Sequence, residues 1–161
     1  MTRLRLNREF LARHLFVTLL MLGLGGWFGY DGYVRYPRTD AVELYRSIEG
    51  SAPAEGVDLE AFKAQKIKTQ KGFTLLAFLA GAIVGLHLLA VARFDFYSDE
   101  TGFVCGGRHA WSDVTDVDLS KWKRKGIVRL VVGKRRIKLD AWHNLGVKEI
   151  VARLRPETVR A

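Results

Sequence analysis

The densest concentration of side chains that could bind an anion is the stretch KWKRKGIVRLVVGKRRIKLD, from Lys121 to Asp140. It holds nine Lys and Arg residues interleaved with β-branched apolar ones. Such side chains bind phosphate or carboxylate groups, whether on a nucleic acid, a lipid headgroup or an acidic protein. The residues that we expect to form this basic surface are Lys121, Lys123, Arg124, Lys125, Arg129, Arg136 and Lys138.

Other residues capable of chemistry are few, and their spacing does not favour a reaction. Cys105 is the single cysteine, and His109 follows four residues later, so the pair falls short of a tetrahedral zinc site. Asp113, Asp116 and Asp118 form an acidic cluster that we interpret as outward-facing carboxylates neutralising nearby charge. The chain contains no nucleophile elbow, Walker loop or HExxH motif. We therefore expect no enzyme, no catalytic residue and no metal.

The chain contains two long apolar runs, each free of Asp, Glu, Lys and Arg, and these runs would hold any basic surface near a membrane. They extend from Leu15 to Tyr30 and from Gly72 to Ala92. A bilayer core of ~30 Å needs roughly 20 helical residues. We predict transmembrane helices over residues 15–33 and 72–93. A signal peptide is the alternative for the first run, but no small-x-small cleavage pattern directly follows it.

The distribution of charge around these spans predicts their orientation. Residues 1–14 hold four Arg and one Glu, residues 31–71 hold seven basic and seven acidic residues, and residues 93–161 hold 15 and nine. By the positive-inside rule both termini are cytoplasmic, and the connection over residues 34–71 is extracytoplasmic. The four lysines just before the second span favour the opposite orientation; they are Lys63, Lys66, Lys68 and Lys71.

Small residues recur at helical spacing in both predicted spans. Residues four apart share one helix face, and small ones let two backbones approach closely where lipid offers no hydrophobic drive. We expect the two faces to pack as a hairpin, with a homodimer or a larger complex as alternatives. The helix-packing residues are Gly25, Gly29 and Gly32 in the first span and Ala77, Gly81 and Gly85 in the second.

His87 lies inside the second predicted span, where an ionisable side chain is a functional hypothesis by default. A cofactor ligand or a proton relay would need a partner, and neither apolar run supplies a carboxylate or a second histidine. We interpret His87 as hydrogen-bonded to a backbone carbonyl or to the neighbouring helix, and we expect no cofactor.

The connection between the spans carries helix signals of its own. Asp40 is a candidate N-cap and Gly50 a stop for one short helix, and Asp58 is the next N-cap. No breaker follows Asp58 before the second span, so a continuous helix from Leu59 to Arg93 would be about 52 Å long. Its protruding apolar side chains, such as Phe62, could contact another protein.

From Phe94 onward the hydrophobic period changes to two and turn signals become dense, which predicts short strands closed by one amphipathic helix, VKEIVARLR. A two-residue turn at Gly133-Lys134 fixes the register of the hairpin around it. The turn pairs Val132 with Arg135. The predicted pairs are then Leu130–Ile137 and Val128–Leu139 on the core face, and Arg129–Lys138 and Val131–Arg136 on the other. Like charges across strands are unfavourable unless an anion or solvent offsets them.

The order of these motifs resembles the bacterial PH-like domains found in small membrane proteins. The resemblance rests on T-G-F, a Gly-Gly turn, a hairpin ending in IKLDAW, the helix VKEIVARL and above all WSDVTDVDL, Trp111 to Leu119. It covers Phe94 to Arg155 and the arrangement of the spans. It implies a two-helix membrane hairpin in the bacterial inner membrane, followed over residues 94–161 by a cytoplasmic antiparallel sheet or partial barrel with a C-terminal helix.

That resemblance implies binding of peptides or lipid headgroups without catalysis. About sixty residues are too few for a full barrel, so we expect the missing wall to come from the membrane, a second copy or a partner. Two functions remain: a scaffold that binds anionic lipid headgroups or an acidic protein, and an accessory subunit or assembly factor of a larger membrane complex. Nucleic acid is disfavoured, because Trp122 is the one aromatic residue in the basic stretch and no reading module is present.

Overall fold

The computed structural model describes residues 2–154 and the backbone of the strand Val159–Arg160. The chain divides into two compact units, one formed by residues 1–13 with residues 87–161 and the other by residues 14–86. The helices are α1 (Arg8–Tyr30), α2 (Tyr36–Arg38), α3 (Ala41–Glu49), α4 (Leu59–Ala92), α5 (Trp122–Lys125) and α6 (Val147–Val151). The strands are β1 (Thr2–Arg3), β2 (Arg5–Leu6), β3 (Tyr97–Ser98), β4 (Gly102–Val104), β5 (Arg108–Ala110), β6 (Val114–Asp118), β7 (Ile127–Val132), β8 (Arg135–Asp140), β9 (Asn144–Leu145) and β10 (Val159–Arg160).

Helix α1 begins earlier than the predicted span because Asn7 caps it. The side-chain oxygen of Asn7 accepts a hydrogen bond from the N–H of Glu9 at 3.0 Å. At its other end α1 continues through a π-helical turn, Asp31–Arg35, into α2. The Trp27 indole donates to the buried Asp31 carboxylate at 3.2 Å within this segment. The helical segment therefore runs without interruption to Arg38.

Helix α4 is the continuous helix that the sequence predicts from Leu59 onward, and its last residue is Ala92. The Asp58 carboxylate accepts a hydrogen bond from the N–H of Ala61 at 2.9 Å, which confirms the predicted cap. By length and composition, the segments 8–38 and 59–92 are both able to cross a membrane, and only 11% of the most apolar window of each is buried. Their apolar side chains therefore face outward.

The connection between the two long helices folds onto the start of α4. Asp40 caps α3 by accepting from the N–H groups of Val42 and Glu43, and Gly50 ends it in the left-handed conformation, as predicted. The Tyr45 ring of α3 lies 4.9 Å from the Phe62 ring, measured between centroids. One of the protruding apolar side chains of α4 is therefore partly covered by the chain itself.

Within the unit of residues 14–86, small residues of each long helix receive side chains of the other. A Cβ placed on Gly25 would lie 3.2 Å from the Phe78 ring, and one on Gly81 would lie 3.3 Å from Met21. A Cβ added in the same way would lie 3.5 Å from Thr74 at Gly29, 3.1 Å from Gln70 at Gly32, and 3.4 Å from Thr18 at Gly85. Ala77 is also buried. The helices therefore pack as a hairpin, with side chains set into the gaps over glycines.

The other unit contains small sheets around one apolar core. One sheet has the order β1-β3-β4-β5, a second has the order β10-β6-β7-β8, and β2 pairs with β9. Pairing is antiparallel except between β10 and β6. The largest fully buried side chains of the core are Phe96, Phe103, Leu130, Leu139 and Ile150. Helix α6 closes this core through Val147 and Ile150.

The N-terminal segment differs from the basic tail expected over residues 1–14. Strand β1 pairs with β3, and β2 pairs with β9. Leu4, between the two strands, is 6% exposed and belongs to the core of the β unit. The N-terminus of the same chain thus adds two strands and a core side chain to the β unit, where we expected a contribution from the membrane, a second copy or a partner.

The β7–β8 hairpin has the predicted register, with Val132 opposite Arg135 and Val128 opposite Leu139, and this prediction is confirmed. The preceding strand β6 ends at Asp118, where the Asp118 carboxylate accepts a hydrogen bond from the N–H of Ser120. The closing helix is also shorter than VKEIVARLR, ending at Val151. Arg155, the last residue of that motif, lies outside the described residues.

Candidate functional site

The seven residues of the expected basic surface fall into two groups. Lys121, Lys123, Arg124 and Lys125 lie on or beside the helical turn α5, and Arg129, Arg136 and Lys138 lie on the outer face of the hairpin. All are exposed except Lys121, which is half-buried. The two groups differ in the charges around them.

The hairpin face is neutralised by carboxylates of its own sheet. Arg129 lies 3.5 Å from the Asp118 carboxylate, and the Lys138 amine lies 3.1 Å from Asp140. A pocket of about 270 Å³ between β6, β7 and β8 is lined by Asp116, Asp118, Arg129, Val131 and Arg136. Cross-strand repulsion on this face is therefore offset in part by carboxylates of the protein itself.

Asp118 is held ionised by the turn that follows it. The hydroxyl and backbone N–H of Ser120, with a smaller contribution from the charge of Arg129, keep the pKa of the Asp118 carboxyl below its ordinary value. Asp113 has another role, since its carboxylate accepts from the N–H of Ala110 at 2.8 Å. The acidic cluster thus divides into neutralising and capping residues.

The turn α5 is the unneutralised part of the basic surface. Among the ion pairs of the described residues, none involves Lys121, Lys123, Arg124 or Lys125. Gly126 closes the turn in the left-handed conformation, at φ 65°. Its carbonyl accepts from the N–H of Ala141 at 2.9 Å, so the turn is fixed to the end of β8.

Trp142 connects this end of the sheet to the start of α1. The guanidinium of Arg13 lies 5.3 Å from the centroid of the Trp142 ring, and the Asn7 side-chain amide donates to the Trp142 carbonyl at 3.0 Å. Arg13 precedes the first apolar run by one residue, His14. Ala141, which holds the turn α5, is therefore the chain neighbour of the residue that contacts Asn7 and Arg13.

His87 has aromatic neighbours that the sequence did not predict. Its ring lies 5.4 Å from that of His143 and 6.1 Å from that of the fully buried Phe10, measured between centroids. His143 lies 3.9 Å from the Asp140 carboxylate. The second histidine near His87 thus comes from the β unit and not from a helix.

These histidines border a pocket of about 260 Å³, lined by His87, Ala90, Val91, Phe94, Lys138, Asp140, His143 and Asn144. In the part of the chain that the structure describes, no group of three or more His, Cys, Asp and Glu residues is placed to hold a metal ion. Cys105 and His109 lie on either side of the β4–β5 turn, and burial raises the pKa of the Cys105 thiol.

A larger cleft of about 520 Å³ lies between the N-terminal strands and the end of α4. Its polar side chains include three arginines, Arg3, Arg5 and Arg93, together with Asn144. Sequence reasoning missed this cleft, because the arginines of TRLRL were interpreted only as topology signals. Their alternation with leucine is also the period-two pattern of a strand, and that pattern was the available clue.

In comparisons with known proteins, no family model, no curated protein and no solved structure matches this chain.

Proposed function

We propose that this chain is a non-enzymatic integral membrane protein whose helices α1 and α4 cross the bilayer as a hairpin. Its β unit acts at the cytoplasmic face as a scaffold that binds anionic lipid headgroups or an acidic protein. The proposal includes a PH-like character for this unit and residence in the bacterial inner membrane, as the sequence resemblance implies.

The observation that carries the proposal is the pairing of β1 with β3 and of β2 with β9. Residues before α1 therefore pair with residues after α4 in two of the sheets. If both helices cross a membrane, the ends of the chain are on the same side only when the number of crossings is even. Two crossings satisfy this requirement, and one does not.

The exposed apolar surface of the helices supports a lipid environment. Phe16, Leu19, Leu76 and Ile83 are 59–68% exposed, and a soluble protein rarely presents such a continuous apolar surface to water. The proposed orientation follows the excess of basic residues at the two ends of the chain. With this orientation the turn α5 is on the side of the leaflet that carries anionic lipids, and each Lys or Arg that reaches that leaflet contributes about 1 kcal/mol of attraction.

An accessory subunit of a larger complex is the second candidate, and the packing weakens it. The glycine faces that it would use are filled by side chains of the hairpin itself, and Phe62 is partly covered by Tyr45. A stoichiometric partner that co-migrates with the native protein on a native gel would favour this second candidate.

Cysteine labelling in intact cells tests the topology. In a Cys105→Ser background, Ser51→Cys and Ser112→Cys each introduce one thiol at an exposed position. We expect a membrane-impermeant maleimide to label Ser51→Cys in intact cells and Ser112→Cys only after permeabilisation. Equal labelling of both in intact cells, or release of the protein by alkaline carbonate, contradicts the proposal.

A further inference from the structure

The cleft between the N-terminal strands and the end of α4 lies where the second apolar run ends. Its wall includes Val91 and Ala92, the last residues of α4, and Arg93, which follows them. If α4 crosses the bilayer, the cleft opens at the depth of the lipid headgroups. This step rests on the membrane insertion proposed above.

The charges of the cleft favour an anion. Arg3 lies 3.6 Å from Asp95, the one acidic residue of the lining. Arg5 and Arg93 form no ion pair with any described residue. Three guanidinium groups against one carboxylate leave a net charge of +2 in the cleft.

Asn144 adds a neutral donor to these guanidinium groups. The residue is 6% exposed and lines the cleft. Its backbone pairs with Leu6 in the β2–β9 ladder, whereas its side-chain amide forms no hydrogen bond with another described residue. The amide N–H groups of Asn144 are therefore available to donate to a ligand in the cleft.

The backbone around the cleft is held by hydrogen bonds. The N–H of Leu4 donates to the carbonyl of Phe96 at 3.1 Å, and the N–H of Asn7 donates to the carbonyl of His143 at 2.8 Å. Leu4 and Leu6 supply the apolar part of the wall beside Val91 and Phe94. Basic and amide donors therefore stand next to apolar side chains, an arrangement that matches a phosphate group attached to a glycerol and acyl chains.

We propose that this cleft binds the headgroup phosphate of one anionic phospholipid, with Arg5 and Arg93 as its principal ligands and the Asn144 amide as an additional donor. Arginine suits this role because its guanidinium gives bidentate hydrogen bonds to phosphate oxygens. The bound lipid would link the N-terminal strands to the end of α4 and so orient the β unit at the membrane.

The test uses the full-length protein in a nonionic detergent and native mass spectrometry with added lipid. Wild-type protein is titrated with phosphatidylglycerol, with phosphatidylcholine and, in a separate arm, with inorganic phosphate as competitor. The variant Arg5→Gln/Arg93→Gln removes two charges from the cleft. The control Lys134→Gln/Arg135→Gln removes two exposed charges at the β7–β8 turn, and neither residue lines the cleft.

We expect one phosphatidylglycerol per protein in the wild type and in the control, and weaker binding of phosphatidylcholine. Loss of two charge-assisted contacts should reduce the affinity of the cleft variant at least tenfold. An equal loss in both variants would overturn the site, since binding would then follow net charge alone. Displacement of the lipid by millimolar inorganic phosphate would overturn the lipid assignment in favour of a soluble phosphate ligand.

A conservative single variant tests the role of Arg93 with less risk of misfolding than the double variant. Arg93→Lys keeps the charge but loses the bidentate geometry, and we expect an intermediate affinity from it; an affinity equal to that of the wild type would contradict the assigned role of Arg93. Carbonate extraction of the same preparations separates this inference from the proposed function. A protein that stays in the membrane but binds no phosphatidylglycerol contradicts only the cleft, whereas a protein released by carbonate contradicts both.

Discussion

The backbone N–H of Leu4 donates a hydrogen bond to the carbonyl of Phe96, 3.1 Å away. One residue precedes α1 and the other follows α4, so this bond joins the two ends of the helical part of the chain. Both side chains lie in the same core, with exposures of 6% and 0%. The N-terminal segment is therefore a structural part of the β unit, and several consequences can be measured.

The first prediction concerns the side chain that anchors the N-terminal strands. Leu4→Ala removes buried methyl groups from the core, so we expect it to lower the free energy of unfolding by about 2–4 kcal/mol. Leu145→Ala is the matched control, because Leu145 is 52% exposed on the strand that pairs with β2. Thermal unfolding in detergent measures both. Equal midpoints for the two variants would contradict the role of Leu4 in the core.

The second prediction concerns the helix hairpin. Gly25→Leu would drive a large side chain into the Phe78 ring, which lies 3.2 Å from a Cβ at that position. We expect a destabilisation of about 1–3 kcal/mol from overpacking.

Gly26→Leu is the control on the same helix turn, because nothing lies within 4 Å of a Cβ at Gly26. Leucine favours a helix over glycine, so this variant should unfold at the wild-type temperature or slightly above it. If Gly26→Leu proves the more damaging substitution, the packing of the hairpin is not the one described.

The third prediction compares two glycines of the hairpin region that both have positive φ. Gly126 has φ 65°, and a Cβ there would lie 3.1 Å from Ala141; Gly133 has φ 57° and an open surrounding. Gly133→Ala should cost only the left-handed backbone strain, about 1–2 kcal/mol. Gly126→Ala should cost more, because it also presses on the residue that fixes α5 to β8. Unfolding midpoints of the two variants test this order.

The parts of the fold that a periodic pattern specifies were predictable from the sequence. The register of the β7–β8 hairpin follows from one Gly-Lys turn, and the caps of α3 and α4 follow from Asp40 and Asp58. In each case a local hydrogen bond or a single turn decides the structure. The prediction succeeded there because no distant residue takes part.

The N-terminal strands were missed because each is only two residues long. Their pairing partners lie more than ninety residues away, as with Thr2 and Ser98, and a pattern of this length is too short to distinguish a strand from a charged tail. The cleft lined by Arg3, Arg5 and Arg93 was missed for the same reason, because it forms only when these strands pair.

The basic surface was predicted as one set and is divided in the structure. Sequence spacing placed Arg129 opposite Lys138 correctly, yet it could not place Asp118 beside Arg129. That contact depends on the pairing of β6 with β7, which contains an irregularity between Val114 and Asp116. A register with a bulge cannot be derived from alternation alone.

The last prediction concerns the loop before β4, where Asp99 organises a tight turn. Its carboxylate accepts hydrogen bonds from the hydroxyl and N–H of Thr101, from the N–H of Gly102 and from Arg108. The Thr101 contacts, followed by Arg108, hold the pKa of Asp99 well below its ordinary value. A carboxyl group with a lowered pKa in the folded state stabilises the protein above the pKa of the unfolded chain, about 3.9.

This stabilisation is lost as the pH falls below about 4 toward the folded-state pKa, because the carboxylate then becomes protonated. We expect Asp99→Asn to lower the unfolding temperature at neutral pH and the difference from the wild type to shrink between pH 4 and pH 2. Glu100→Gln, at the exposed neighbouring position, is the control and should leave the pH dependence unchanged. Thermal unfolding from pH 2 to pH 7 measures both variants, and a gap for Asp99→Asn that stays constant with pH would show that the carboxylate charge does not hold this turn.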